Sequence, residues 1–327
     1  MKKISIIGAG VWGSAIAKLL SNHKVLIYSR NIETVKSINS HKINPKLKYV
    51  IFNDNVKSTS NILDLADSDY IFIALPTQQI REALNDFKKF VSNQTIIIGS
   101  KGIEINTHLL PSEIVESVLE NLNICILSGP CFSHEVAQNL PTAVTLATKN
   151  EKCFNFINEL FINKNFRIYH SNDLVGCQIG GAIKNIYAIA SGITLGLNLG
   201  ENAKSALISR SFSEIINFGK IIGANSNTLF GLSGLGDLIL TCNSLKSRNT
   251  NFGYLISSQQ KISIEDHLKS QDTTEGYFTV QAVYNIAKEK NIEMPIANAI
   301  YKILFEKALI NDEIKKLLNR PTKKDFH

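Results

Sequence analysis

Lys184 is the residue whose surroundings point most directly to chemistry. It is the only charged side chain between Asp173 and Glu201. A buried ammonium is unfavourable unless it is paired or gives up its proton, and desolvation draws its pKa towards neutrality. A lysine in that setting can donate or accept a proton in a reaction. The alternative is a lysine whose stem is buried while its ammonium reaches solvent.

Small residues flank Lys184 on the helix that this stretch predicts. Gly180 and Gly181 lie one turn before it, and Ala188 lies one turn after it. Residues at this spacing share a helix face. We therefore expect space for a ligand beside the ammonium.

Lys101 is a second lysine in a suggestive place. It lies in the loop 99–102, directly after the predicted strand Thr95–Ile98. Ligands of open parallel sheets bind outside the carboxyl ends of the strands. Lys101 is thus expected to meet a cofactor or substrate, with an ordinary surface lysine as the alternative.

A third group of polar residues follows a glycine-rich segment. Residues 231–237 end in the acid Asp237, and Ser247, Arg248 and Asn249 come shortly after. Ser247 could cap a helix, and Arg248 with Asn249 could hold an anionic oxygen by charge-assisted hydrogen bonds. A helix cap beside a solvated arginine is the alternative.

A glycine-rich turn follows the first predicted strand. Ile4–Ile7 lead into Gly8-Ala9-Gly10-Val11-Trp12-Gly13 and then into a helix-compatible run. Gly8 permits a tight turn, Gly10 lets backbone approach a pyrophosphate, and Gly13 lets the helix pack closely on the strand. The phosphates would rest on the helix N-terminus. Strand, turn and helix in this order predict a dinucleotide site rather than an ordinary glycine turn.

The residue after the second strand bears on the choice of dinucleotide. An acid there would bind the ribose 2′-hydroxyl and select NAD, whereas this chain has Ser29-Arg30 after Val25–Tyr28. Arg30 could hold a 2′-phosphate and stack on adenine. NADP is therefore favoured and NAD stays open, with a solvated surface arginine as the alternative.

The elements that must position these residues change type along the chain. Up to about residue 150, short apolar runs alternate with amphipathic stretches, the pattern of βα units on a parallel sheet. Beyond about 175, apolar residues recur at helical spacing without strand-like alternation. We predict an α/β protein in which a Rossmann-like doubly wound domain, 1–180, binds the dinucleotide and a mainly helical domain, 181–327, completes the site.

The predicted elements of the two parts are as follows. Strands are expected at Ile4–Ile7, Lys24–Tyr28, Tyr70–Ala74, Thr95–Ile98, Cys125–Leu127 and Ala143–Ala147. Helices are expected first at Gly13–Ser21, Gln79–Phe90, Leu110–Leu122 and Cys153–Phe161, then at Gly180–Leu197, Ala203–Ile222, Thr279–Lys290 and Ile296–Leu304.

Composition excludes several classes of protein. The chain has 327 residues with 44% hydrophobic and 19% charged residues, which excludes intrinsic disorder. Its 35 basic and 28 acidic residues give a net charge of +7, but the lysines are scattered. Because the lysines do not gather in one stripe, an anionic small-molecule ligand explains this charge as well as nucleic acid does, and we expect no nucleic-acid partner.

Cysteine usage and hydropathy bear on location. The five cysteines are odd in number and contain no CxxC pair, so we expect neither a disulfide framework nor a metal site, and we place the protein in the reducing cytoplasm. The stretch around Lys184 is long enough to cross a bilayer, but its six glycines favour a buried helix over a membrane span.

Five segments in order resemble bacterial NAD(P)-dependent glycerol-3-phosphate dehydrogenases over nearly the whole chain. They are GAGVWGSAIA at the start, LSGPCFSHE around Gly129, GAIKNIYAIASGI around Lys184, GLSGLGDLILTCNSLKSRN around Asp237, and TEGYFTV around Glu275. The resemblance implies reduction of dihydroxyacetone phosphate to sn-glycerol 3-phosphate, which supplies glycerophospholipid synthesis. A dehydrogenase of β-hydroxyacids or sugar acids, or a dinucleotide sensor without turnover, is the alternative. The oligomeric state stays open, with a homodimer as one option.

The resemblance also implies residue roles, with Lys184 as the catalytic acid/base. Substrate contacts are implied for Lys101, Gly129, Cys131, Asp237, Ser247, Arg248 and Asn249. Cofactor contacts are implied for Gly8, Gly10, Trp12, Gly13, Arg30, Lys101, Ser133, Arg248 and Glu275. Two positions depart from the family: Cys131 stands where Ser or Thr is usual, and Ser133 where Ala is frequent. Because a thiol is a weaker donor than a hydroxyl, the contact at Cys131 is expected to be weaker.

Overall fold

The first half of the chain forms one eight-stranded sheet. A computed structural model describes residues 1–91, 93–120, 122–161, 163–258, 263–269 and 274–322. The sheet has the order β3-β2-β1-β4-β5-β6-β7-β8, and its neighbours run parallel except β6 and β7. Its strands are β1 (Lys3–Ile7), β2 (Lys24–Tyr28), β3 (Val56–Thr59), β4 (Tyr70–Ile73), β5 (Thr95–Ile98), β6 (Asn123–Ser128), β7 (Thr142–Ala147) and β8 (Phe166–Ser171).

Helices cover both faces of the sheet, as continuous apolar strands such as β4 require. They are α1 (Val11–Leu19), α2 (Ile32–His41), α3 (Ile80–Phe87), α4 (Pro111–Val118), α5 (Ser133–Ala137) and α6 (Glu151–Leu160). Short 3₁₀ turns lie at Ile62–Leu65, Thr77–Gln79 and Lys88–Phe90. The strand order with a reversal next to β1 is that of a doubly wound dinucleotide fold, so the predicted fold class is confirmed for this half.

From Leu174 onwards, the described residues form helices joined by turns and loops. This part of the chain contains α7 (Leu174–Gly196), α8 (Glu201–Ile222), α9 (Ser226–Phe230), a π-helical turn (Leu232–Gly236), α10 (Asp237–Cys242), α11 (Arg248–Ser257), α12 (Ile264–Lys269), α13 (Glu275–Glu289), α14 (Pro295–Phe305) and α15 (Ile310–Leu318). Apolar side chains from α7, α8, α13 and α14 share one core. The prediction of a mainly helical second half is confirmed.

The helix α7 is the axis of this core. Every residue from Gly176 to Thr194 is buried, and Asp173 caps the helix by accepting a hydrogen bond from the Gly176 amide at 2.8 Å. Glycines let α11 approach closely: a Cβ on Gly253 would collide with the carbonyl oxygen of Ile189 on α7. The expectation of a buried helix is confirmed, and no helix among the described residues has the length and apolarity of a membrane span.

Candidate active site

Two lysines share one buried carboxylate. Lys184 Nζ donates to Asp237 Oδ1 at 2.5 Å, and Lys101 Nζ donates to Asp237 Oδ2 at 2.6 Å. The Asp237 side chain is 1% exposed and that of Lys184 is 9% exposed. Lys101 comes from the loop after β5, Lys184 from the middle of α7, and Asp237 from the first residue of α10. The structure thus brings together three of the residues singled out from the sequence.

Thr241 completes the surroundings of Lys184. Lys184 Nζ donates to Thr241 Oγ1 at 2.7 Å, and this hydroxyl in turn donates to the carbonyl oxygen of Asp237 at 2.7 Å. Thr241 and Asp237 are four residues apart on α10 and therefore lie on one face. The sequence analysis missed Thr241, although this spacing was the signal that could have found it.

Backbone packing around Lys184 differs from the expectation. A Cβ on Gly180 would lie 2.5 Å from the carbonyl oxygen of Ser233, and one on Gly181 would lie 2.8 Å from Ser128 Oγ and 3.4 Å from Lys101 Cδ. The two glycines make room for the π-helical turn and for the Lys101 stem. The prediction that they leave space for a ligand is therefore wrong, because the protein fills that space itself.

The pKa values of the two lysines are shifted in opposite directions. Burial lowers the pKa of Lys184, and the nearby Lys101 charge adds to this, while the Asp237 charge opposes it. Burial also lowers the pKa of Lys101, but the Asp237 charge and the other stabilising contacts outweigh it, so its pKa is raised. Lys184 is accordingly the more ready proton donor of the pair. Pairs driven apart in this way mark the acid or base of many sites.

The loop after β6 adds two residues beside Lys101. Lys101 Nζ donates to the carbonyl oxygen of Gly129 at 3.0 Å, and Cys131 Sγ donates to the same oxygen at 3.2 Å. Gly129 has φ +149°, and a Cβ there would lie 2.9 Å from Val144 Cα, so only glycine fits. Burial raises the pKa of the Cys131 thiol, and the Lys101 charge opposes this.

The glycine turn has the shape that a pyrophosphate requires. Gly8 has φ +120°, and a Cβ on Gly13 would collide with the carbonyl oxygen of Gly8. A Cβ on Gly10 would meet nothing within 4 Å, so the space in front of the N-terminus of α1 is open. Trp12, half-buried, packs against Gly99 at the end of β5. These residues fit a dinucleotide.

Glu275 joins the helical half to the sheet. Its Oε1 accepts a hydrogen bond from the Thr77 amide at 3.3 Å, while its Oε2 and Thr77 Oγ1 are buried with no hydrogen-bond partner among the described residues. A Cβ on Gly102 would lie 2.6 Å from Thr77 Oγ1 and 2.8 Å from Glu275 Oε2. Burial raises the pKa of Glu275 to about 7, opposed by the Thr77 amide and the Arg248 charge. Two unsatisfied polar atoms beside a glycine fit a polar group of a bound cofactor.

Asn249 and Ser247 make contacts within the protein. Asn249 Nδ2 donates to Asn185 Oδ1 at 3.0 Å, and its Oδ1 accepts from the Gly276 amide at 2.9 Å. The side chain of Ser247 caps α11 by accepting from the Thr250 amide at 3.3 Å. Asn249 therefore ties α11 to the N-terminus of α13, next to Glu275.

The remaining candidate residues lie further out. Arg248 is exposed at the first turn of α11, within electrostatic reach of Glu275. Arg30 is exposed after β2 and donates to Gln79 Oε1 at 3.2 Å. Ser133 is half-buried as the first residue of α5. Within the described residues, no three His, Cys, Asp or Glu side chains form a group that could hold a metal ion.

Comparison with known proteins agrees with this architecture over nearly the whole chain. Residues 3–154 match the family model for the N-terminus of NAD-dependent glycerol-3-phosphate dehydrogenase, and residues 173–315 match that for its C-terminus. A protein of Staphylococcus haemolyticus named glycerol-3-phosphate dehydrogenase [NAD(P)+] is 40% identical over 334 residues, covering 99% of this chain and 100% of its own. A protein of the same name from Francisella tularensis subsp. novicida is also 40% identical, with 99% of each chain covered.

A solved structure shares the fold in detail. The crystal structure of glycerol-3-phosphate dehydrogenase from Coxiella burnetii superposes with a TM-score of 0.93 at 32% identity, covering 98% of this chain and 99% of that one. Because the sequence match spans both halves and the structural match spans the whole molecule, the chain belongs to the NAD-dependent glycerol-3-phosphate dehydrogenase family.

Proposed function

We propose that the chain reduces dihydroxyacetone phosphate at C2 to sn-glycerol 3-phosphate with NADPH or NADH. The observation that carries the proposal is Lys184, buried in the core, lowered in pKa, and held between Asp237 and Thr241. Membership of the family supports the same reaction. The cofactor, when bound, supplies the hydride, and the residues of the chain supply position, charge and a proton.

Lys184 is the proton donor in this proposal. An ammonium has three hydrogens, of which Asp237 and Thr241 take two, leaving one for the oxygen on C2 of the substrate. As charge develops on that oxygen, Lys184 passes its proton to it, and in the reverse direction it takes the proton back. The lowered pKa of Lys184 makes the transfer easier, because a donor works best when its pKa lies near the operating pH.

Positively charged side chains would attract the negatively charged phosphate of the substrate. Two ammonium groups around the single carboxylate of Asp237 leave an excess of positive charge when both are protonated, which favours an anionic substrate. We assign the phosphate end to Arg248, with Ser247 and Asn249 beside it. Binding energy at this remote group would position C2 for reaction.

The backbone carbonyl of Gly129 and the Cys131 thiol complete the proposed substrate contacts. Both lie directly beside Lys101, which supports assigning all three residues to the substrate.

Residues at the carboxyl ends of the strands, together with Arg248 of α11 and Glu275 of α13, would hold the cofactor. Gly8, Gly10 and Gly13 would accommodate the pyrophosphate, since the turn geometry and the open space at Gly10 support close approach. Glu275 and its unsatisfied oxygen would meet a polar group of the cofactor. The other proposed contacts are those of Trp12, Arg30, Lys101, Ser133 and Arg248.

The setting of the reaction is also a proposal. We propose that the product supplies glycerophospholipid synthesis and that the enzyme works in the cytoplasm, which the five free cysteines support. A homodimer is proposed as its assembly. The division into a dinucleotide domain, 1–180, and a substrate domain, 181–327, is likewise proposed.

Substrate-dependent oxidation of the reduced cofactor tests the proposal. The purified chain should oxidise NADPH or NADH when dihydroxyacetone phosphate is added, and should form sn-glycerol 3-phosphate in equal amount. Turnover of β-hydroxyacids or sugar acids in its place would refute the substrate assignment. Tight cofactor binding without turnover of any of these compounds would indicate a sensor.

A further inference from the structure

The exposed carboxylate of Glu82 forms an ion pair with Arg30, the residue proposed to contact the adenosine ribose. Arg30 Nη1 lies 3.5 Å from Glu82 Oε1, and Arg30 Nη2 donates to Gln79 Oε1 at 3.2 Å. Gln79 ends the 3₁₀ turn after β4, and Glu82 lies in the first turn of α3. Glu82 belongs neither to the glycine turn nor to the cluster formed by Lys101, Lys184 and Asp237.

This contact spans the strand that carries the glycine turn. In the sheet, Tyr28 of β2 and Ile73 of β4 both pair with Ile7 of β1. The ends of β2 and β4 are thus two strand spacings apart, roughly 10 Å, with the end of β1 between them. The side chain of Arg30 reaches across this interval, over the place where a dinucleotide bound at the glycine turn must extend.

We infer that Glu82 is a specificity-determining residue that weakens the preference for NADPH over NADH by neutralising Arg30. The inference rests on the proposed dinucleotide-dependent function. A ribose 2′-phosphate must compete with the Glu82 carboxylate for the same guanidinium, and its own negative charge is repelled by that carboxylate. A 2′-hydroxyl is neutral and has neither penalty.

The effect is expected to be modest because both side chains are largely exposed, at 63% for Arg30 and 69% for Glu82. Charge pairs of this exposure contribute about 0.2–1 kcal/mol, so removing the carboxylate should change relative affinity by roughly 1.4- to fivefold. Salt screens such pairs, so the change should shrink as ionic strength rises.

Glu82→Gln is the decisive variant, because it keeps size and hydrogen bonding while removing the charge. Asp86→Asn is the matched control, since Asp86 is an exposed acid one turn further along α3. Titration calorimetry with adenosine 2′,5′-bisphosphate and with adenosine 5′-monophosphate measures the 2′-phosphate contribution without turnover. The ratio of kcat/KM for NADPH and NADH measures the same preference in the reaction.

Glu82→Gln should tighten binding of the bisphosphate by roughly 1.4- to fivefold and leave binding of the monophosphate unchanged. The ratio of kcat/KM for NADPH to that for NADH should rise by the same factor. Combined with Arg30→Ala, the same substitution should have a smaller effect, because the competition is gone. Unchanged affinity in Glu82→Gln, an equal change in Asp86→Asn, or no binding of the bisphosphate would overturn the inference. If the affinities respond as expected while the chain fails to turn over dihydroxyacetone phosphate, only the proposed reaction is refuted.

Discussion

Replacing Asp237 by Asn removes the one negative charge that Lys184 and Lys101 share. The amide keeps the shape of the carboxylate but can accept from one lysine only, and its NH₂ group would face the other. Both lysine contacts, at 2.5 Å and 2.6 Å, are charge-assisted in the native protein. The substitution therefore leaves two cations side by side without a counter-charge.

The expected cost in stability follows from burial. Removing one partner of a buried ion pair costs about 3–5 kcal/mol, because the remaining charge stays buried. Lys184 can release its proton and so escape part of this cost, which favours the lower end, about 3 kcal/mol. For a chain of this size, a loss of that order lowers Tm by roughly 4–5 °C.

The effect on pH dependence is the more specific readout. The reduction needs protonated Lys184, so its rate falls as pH rises through the pKa of Lys184. The negative charge of Asp237 raises the pKa of Lys184 and so opposes the effect of burial. Loss of that charge therefore lowers the pKa of Lys184 further. In Asp237→Asn, the alkaline fall of kcat should move to lower pH, and kcat below that fall should drop about 10²-fold through misplacement of the lysine.

Asp173→Asn is the control for Asp237→Asn. Asp173 caps α7 through the Gly176 amide and also accepts from the Asn225 amide at 2.9 Å, far from the lysine cluster along the same helix. Its substitution should lower Tm without moving the pH profile. If Asp237→Asn left the alkaline fall in place or moved it to higher pH, the electrostatic reasoning about Lys184 would be refuted.

Three further substitutions probe single contacts. Arg30→Asp should shift kcat/KM from NADPH towards NADH, and an unchanged ratio would show that Arg30 does not meet the ribose. Arg248→Ala should reduce kcat/KM for dihydroxyacetone phosphate by roughly 10–150-fold, the equivalent of ~1.5–3 kcal/mol, and should spare unphosphorylated dihydroxyacetone. Equal losses on both substrates would assign Arg248 to the cofactor or the fold. Cys131→Ser should lower KM for dihydroxyacetone phosphate about two- to tenfold, because a hydroxyl is both a stronger donor and a stronger acceptor than a thiol; an unchanged KM would contradict the contact.

The sequence predicted those strands whose apolar runs are continuous, such as Tyr70–Ile73 and Thr95–Ile98. It missed β8, Phe166–Ser171, because one side of this edge strand is solvated and its polar residues hide the pattern. It also missed β3, Val56–Thr59, a four-residue strand at the other edge. Periodicity reports burial, and edge strands bury too little to show it.

Lys184, Lys101 and Asp237 could each be singled out from the sequence, but their assembly into one cluster could not. Lys184 stood out because no other charge surrounds it, and Lys101 because it follows a strand. Nothing in the sequence says that one carboxylate, Asp237, joins these two lysines from separate elements. Thr241 was missed because a threonine in an apolar helix has no compositional signal of its own. Gly180 was misjudged because sequence shows that space exists without showing what fills it.

Turnover by Lys184→Ala tests the proposed proton transfer most directly. The measurement pairs kcat for dihydroxyacetone phosphate reduction with the Kd of NADPH in the wild-type protein and the variant. Because the glycine turn is untouched, the Kd should stay the same, while kcat should fall ~10²–10⁴-fold, the typical contribution of a general acid. If the variant kept more than about a tenth of the wild-type kcat, Lys184 would not be the proton donor.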